Sequence, residues 1–223
     1  MMPFEELTES QRAYRLEEAL KLSEEARKNL YGIGMQKERT VHSVLKFYLE
    51  PDSEQHEIPI GSFIADIYHR DPPEVLEIQT ANFGNLRKKL DAFLQEMPVT
   101  VIYPIPWHKW VYWSDPEIGE VSSGHKSPKT GQLYMILPEL YRISSYLCHP
   151  RLSFWPVLLD VKEYRILDGW SRDKKRGAHR IDRIPTQIGP SALIRTPQDL
   201  VRLLPLKDLL QLGVSAAVGQ GGP

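Results

Sequence analysis

The chain has 223 residues, 28 Lys and Arg against 29 Asp and Glu, 41% hydrophobic and 26% charged residues. That is the composition of a globular domain, so neither disorder nor a membrane protein is the default expectation, and no apolar run nears the ~18 residues that span a bilayer. The lone Cys148 excludes an intrachain disulfide and a cysteine-rich zinc site, and a formal charge of −1 confines any nucleic-acid affinity to a local basic face.

The opening MMPFEELTESQR is acidic and polar, unlike a secretory leader, so a cytoplasmic protein without a membrane partner is expected. Residues 4–30 read as a charged amphipathic helix with Leu16, Leu20 and Leu22 on a thin apolar edge, broken by Tyr31-Gly32-Ile33-Gly34. A second helix is expected over Gln36–Leu49, where Val41, Val44, Leu45, Tyr48 and Leu49 recur at helical spacing. Three short strands follow, His56–Ile60, Phe63–Tyr68 and Val75–Thr80, separated by Gly61-Ser62 and Asp71-Pro72-Pro73.

Asn85–Gln95 reads as a third helix and Val99–Tyr103 as a buried strand closed by Pro104 and Pro106. The order α-β-β-β-α-β implies a mixed α/β core with a helical crossover. Beyond it come a strand at Lys109–Trp113, a Ser/Gly/Lys loop at Ser122–Thr130, a helix at Gln132–Leu147 tolerating Pro138, a strand at Trp155–Val161 and a basic loop at 171–183. A last helix is expected to begin near Thr196-Pro197, with a Leu-rich stretch at Leu203–Leu212 and a disordered Gly/Ala tail whose truncated look suggests part of something longer.

The segment with chemical content begins at Gly61. Asp66 sits mid-strand between Ala65 and Ile67, and Glu77 and Gln79 share one strand face with Val75 while Leu76 and Ile78 take the other. A carboxylate inside an apolar strand is costly unless paired or bound to a metal. Two of them on adjacent antiparallel strands are expected about 4–6 Å apart, a separation suited to one hard cation such as Mg²⁺ or Mn²⁺. Glu38, three residues before Val41, lies on the apolar stripe of its helix and would aim at the same strand ends.

These residues resemble the PD-(D/E)XK nuclease superfamily: Glu38 in Lys37-Glu38-Arg39, Asp66 in Ile64-Ala65-Asp66-Ile67, then Glu77-Ile78-Gln79, a helix and a strand, over residues 36–103. The resemblance implies an α/β fold, a restriction-endonuclease-like αβββαβ core with a mixed sheet flanked by helices, plus an N-terminal helix and a C-terminal α/β extension. The corresponding boundaries are residues 1–34 for the helical extension, 35–205 for the nuclease-like domain and 206–223 for a terminal helix and tail. It implies a Mg²⁺- or Mn²⁺-dependent endonuclease acting on DNA, with Glu38, Asp66, Glu77 and Gln79 catalytic, and Asp66, Glu77 and the Ile78 carbonyl on the metal. A homodimer is plausible by the same resemblance.

The family's lysine is replaced by Gln79, which is uncharged and can only orient a water. Lys88 or Lys89 on the next helix would supply a displaced ammonium, and Lys88, Lys126, Lys129, Arg172, Lys174, Lys175 and Arg176 are candidates for phosphate contact, with Arg180 and Arg183 continuing the loop. The basic cluster is expected to border the same groove as Asp66.

Each feature has a plainer account. Asp66 and Glu77 would then be a solvent-facing charge pair, Glu38 a carboxylate favoured by the helix dipole, His42 and His69 structural, and the basic loop merely solvated. In Trp107-His108-Lys109-Trp110-Val111-Tyr112-Trp113, bases could stack, but a strand burying alternate aromatics is the simpler expectation. Two rivals to an enzyme remain: a catalytically inactive nuclease-derived module that binds DNA or protein, favoured by Gln79, and an assembly subunit pairing through the first helix.

Overall fold

A computed structural model describes residues 7–31, 40–114, 121–166 and 179–204. In chain order the elements are α1 Glu9–Tyr31, α2 Thr40–Leu49, β1 His56–Ile60, β2 Phe63–Arg70, β3 Pro73–Ile78, α3 Arg87–Glu96, β4 Val99–Ser114, β5 His125–Lys126, α4 Leu137–Tyr141, β6 Leu152–Ile166 and β7 His179–Ser191. The strands form one mixed seven-stranded sheet, ordered β1-β2-β3-β4-β6-β7, with β5 paired to β4. β1, β2 and β3 are an antiparallel meander; β3 and β4 are parallel, joined by α3; β6 lies parallel to β4 and antiparallel to β7. From α2 to β4 the chain thus runs in the αβββαβ order read from the pattern.

Helices cover both faces. Leu16 and Ala19 of α1 and Val44, Leu45 and Leu49 of α2 pack on Ile67, Leu76, Ile78, Ile102 and Val157. On the other side Leu90 and Phe93 of α3, Leu140 of α4 and the turn residues Phe83 and Leu86 pack on Val75, Val99, Val101 and Phe154. Leu76 and Ile78 therefore oppose Val75, as strand alternation requires. The run Val99–Ile102 is buried throughout because its strand is covered on both faces, and its one polar residue, Thr100, donates its hydroxyl to Glu74.

Five expectations need correction. β4 does not stop at Tyr103; it runs through Pro104 and Pro106 to Ser114, absorbing the separate strand expected at Lys109–Trp113. Beyond Ile102, where pairing with β3 ends, that edge of β4 has no strand partner until β5 at Trp110, so two residues without an N–H break no ladder there. The helix expected over Gln132–Leu147 is instead a 3₁₀ turn, the five-residue α4 with Pro138 in its first turn, and a second 3₁₀ turn.

β6 is longer than Trp155–Val161 at both ends, and the distal part of the basic loop, from His179 onward, is strand β7. The segment at Thr196-Pro197 does begin at a capping box, but it winds as a 3₁₀ helix over Pro197–Leu203. The expected tail and the rest of Leu203–Leu212 lie outside the described residues. No helix among the described residues is long and apolar enough to cross a membrane.

Candidate active site

The β1–β2 hairpin turns on Gly61-Ser62, with Gly61 at φ +59, and this fixes the register that sets Asp66 between its partners. β1 pairs His56 with Ile67 and Ile58 with Ala65, so Glu57 stands opposite Asp66, and Glu57 is in the left-handed region at φ +52. A side chain held there costs ~1–3 kcal/mol. On the other edge, β2–β3 pairing runs from Arg70↔Pro73 to Ile67↔Leu76 and stops. Ala65 belongs to the α3 layer and Ile67 to the α2 layer, so β2 departs from simple alternation at Asp66.

Past that point side chains replace the ladder. Ile78 N donates to Asp66 Oδ2 at 2.8 Å, and Asp66 N donates to Glu77 Oε1 at 3.4 Å. Asp66 and Glu77 are thus brought together on neighbouring strands. His42 from α2 reaches Asp66 Oδ2 at 3.1 Å, and Lys89 from α3 donates to Glu77 Oε2 at 2.7 Å. An ionised carboxylate only accepts, so His42 carries a proton on that Nε2. Helices from opposite layers meet at this fork.

The two carboxyls titrate in opposite directions. Glu77 is 2% exposed; burial first, then the neighbouring Asp66 charge, push it up to about 7 against the pull of Lys89. Burial also acts to raise Asp66, but the hydrogen bond and charge of His42 and the Ile78 amide hold it below the usual carboxylate range. Over the mildly acidic range the shared proton sits on Glu77 and the charge on Asp66.

Gln79 follows β3, its N–H donating to Ile102 O at 2.9 Å and its side-chain amide to the Ala81 carbonyl. Lys88 is exposed on α3. Glu38, Arg172, Lys174, Lys175 and Arg176 lie outside the described residues. Lys126 sits opposite Trp110, nine residues along β4 from the Val101 that neighbours Glu77, about 30 Å of extended strand. Lys129 is in the exposed loop just beyond β5, so neither joins the carboxylates.

Arg180 and Arg183 lie in a cavity that shares no residue with the fork. With Val41, Thr80, Tyr103 and Pro104 they line this cavity of about 320 Å³, whose Val41 and Thr80 adjoin His42 and Gln79 in the chain. The residue that sequence reasoning undervalued is His42, the only α2 residue that is not buried. Its signal was a polar ring one position off an apolar stripe.

Among the described residues no three His, Cys, Asp or Glu side chains converge as a metal-holding group. The donors present are oxygens, and Asp66 Oδ1 has no hydrogen-bond partner among the described residues. Crowded, buried carboxylates of this kind suit a hard cation that keeps most of its waters.

Residues 39–195 match the family described as Domain of unknown function (DUF8091). The chain belongs to this family. The DUF8091 segment contains His42, Asp66, Glu77 and Lys89, while α1 precedes it. A similar protein is an uncharacterised protein of Treponema pallidum (strain Nichols), 27% identical over 168 residues, which are 75% of this chain and 66% of that protein. No solved structure matches the chain.

Proposed function

We propose that the chain is a metal-dependent nuclease that hydrolyses phosphodiester bonds in DNA on a restriction-endonuclease-like core. One observation carries this: Asp66 and Glu77 interleave where the β2–β3 ladder opens, with the Lys89 ammonium on Glu77. Asp66, Glu77 and the Ile78 carbonyl would hold Mg²⁺ or Mn²⁺, and a dication would relieve the repulsion that helps push Glu77 to about 7. When bound, such an ion lowers the pKa of water and stabilises charge on the phosphoryl oxygens.

Lys89 supplies the positive charge that Gln79 lacks, from the helix that follows the motif. His42 fixes Asp66 in orientation. Gln79 would leave the Ala81 carbonyl to position a water.

The test is incubation of labelled duplex, nicked, branched and single-stranded DNA with Mg²⁺ or Mn²⁺. Cleavage is expected, abolished in Asp66→Ala and Glu77→Ala, and reduced about 10²- to 10³-fold in Lys89→Met, the loss typical of one charge-stabilising donor. No cleavage of any substrate, with no metal effect on the melting temperature, would overturn it. A second reading, a nuclease-derived DNA-binding module that cuts nothing, is favoured by Gln79 at the motif position and by carboxylates already engaged by Lys89 and His42. Cleavage appearing only in Gln79→Lys would select it.

A further inference from the structure

Past Pro106, β4, β6 and β7 continue as an arm to Ser114, Ile166 and His179, with β5 on its edge. The β4–β6 register shifts between Pro106 and Lys109, after which Trp110 lies opposite Lys162 and Tyr112 opposite Tyr164. β5 places Lys126 across from Trp110. Directly opposed residues share a face, so one side of the arm carries Trp110, Tyr112, Tyr164, Lys126 and Lys162.

The simpler expectation, alternate aromatics buried in the core, does not hold here. Of Trp107–Trp113 only Val111 is buried; the rings are half-buried and Lys126 and Lys162 are exposed. Tyr112 and Tyr164 stack at 5.2 Å and 20°, and Lys126 Nζ sits 5.5 Å from the Trp110 ring centre. The reverse face is stiffened by Glu163, fully buried between Arg165 at 2.6 Å and Arg183 at 2.7 Å.

The described residues within 107–131 and 160–184 hold seven Lys and Arg against three Asp and Glu. With the connecting segments read from sequence the count is eleven against eight, still positive on a chain whose net charge is −1. Trp110 and Tyr112 are two residues apart, about 7 Å along a strand. That is twice the 3.4 Å rise of bases in a duplex, so bases lying on both must be unstacked from each other.

We propose that this face binds a single strand of nucleic acid, with bases on Trp110 and the Tyr112–Tyr164 pair and phosphates on Lys126 and Lys162. The ligand class rests on the nuclease reading above. Aromatic platforms flanked by cations bind unpaired bases with little sequence preference, since every base has a π-face.

The experiment measures affinity of the full chain for a mixed-sequence 15-nucleotide DNA strand, the same strand as RNA, and the corresponding DNA duplex, at two salt concentrations, with tryptophan quenching as the signature of stacking. Either single strand is expected to bind at least tenfold tighter than duplex, the DNA–RNA difference reporting which sugar is preferred. Trp110→Ala should lose about tenfold, and Trp110→Phe most of that less. Lys126→Glu with Lys162→Glu, both exposed and outside the core, should weaken binding and lower the salt slope by about two phosphates.

Equal or tighter duplex binding, or indifference to both sets of variants, overturns the proposal. So does a dimer, seen by sedimentation, that Trp110→Ala dissolves, since the face would then join two copies. Asp66-dependent cleavage without single-strand binding would reject the arm and keep the nuclease. Single-strand binding by the arm without cleavage would do the reverse.

Discussion

Glu77 sets a pH dependence that the ordinary value of a glutamate would not. Its folded pKa of about 7 lies above the reference 4.5, so between those values the folded chain holds a proton that the unfolded chain has released. The stability this contributes is complete below 4.5 and is lost as pH rises towards 7, at most ~3 kcal/mol. Glu77→Gln is expected to remove that decline and raise the melting temperature at pH 8 relative to the parent chain. A thermal titration from pH 5 to 8 checks it, and parallel curves for the two proteins would disprove the assignment. Mg²⁺ favours the ionised carboxylate, so its stabilising effect should be larger at pH 8 than at pH 5.5.

Glu163 behaves oppositely. Burial opposes its ionisation, yet Arg183, Arg165 and Lys109 hold its carboxyl below the usual range. Its contribution is therefore present at neutral pH and lost as pH falls below the ordinary range. Glu163→Gln leaves clustered cations without their counter-charge and should destabilise by about 3 kcal/mol in a denaturant titration. At this scale Asp66 and Glu77 were legible because apolar neighbours make a strand carboxylate conspicuous. His42 and Lys89 were less so: the one was a polar ring just off an apolar stripe, the other one of two adjacent lysines on a helix, and neither pattern says which carboxylate it meets.

Among the elements, α2 matters most to the site because it carries His42. Its first residue is tied to β7: Thr40 N donates to Asp182 Oδ1 at 3.3 Å, and the Thr40 hydroxyl also donates to that carboxylate. Asp182→Ala removes both bonds and should cost about 1 kcal/mol, as lost helix caps do. Because the clamp also fixes where α2 begins, DNA cleavage should fall in this variant more than in a surface control of equal stability. The meander, α3 and the start of β4 could be read from period and turn residues. Pro104 and Pro106 misled because proline stops a strand only where its missing N–H would have been bonded. The 133–146 segment misled because apolar residues three or four apart fit 3₁₀ turns as well as a helix.

For the whole molecule, α1 shows how a thin apolar edge can join the core. Leu16 is 3% exposed, and Ser23 shares a 2.7 Å hydrogen bond with Ser43 of α2. Leu16→Ala should cost 2–5 kcal/mol by the usual scale for a cavity in a packed layer, read as a lower denaturation midpoint. An unchanged midpoint would show α1 to be dispensable. By itself the sequence determined the succession of elements, the α/β class and the two strand carboxylates, because alternation, helical period and turn chemistry are set by neighbours in the chain. Only the tertiary structure decided that β2 and β3 part at Asp66, that α2 and α3 bring His42 and Lys89 to the opening, and that Trp110, Tyr112 and Tyr164 share one half-exposed face of the sheet. Those relations depend on register and layer packing between segments far apart in sequence, which no local pattern specifies.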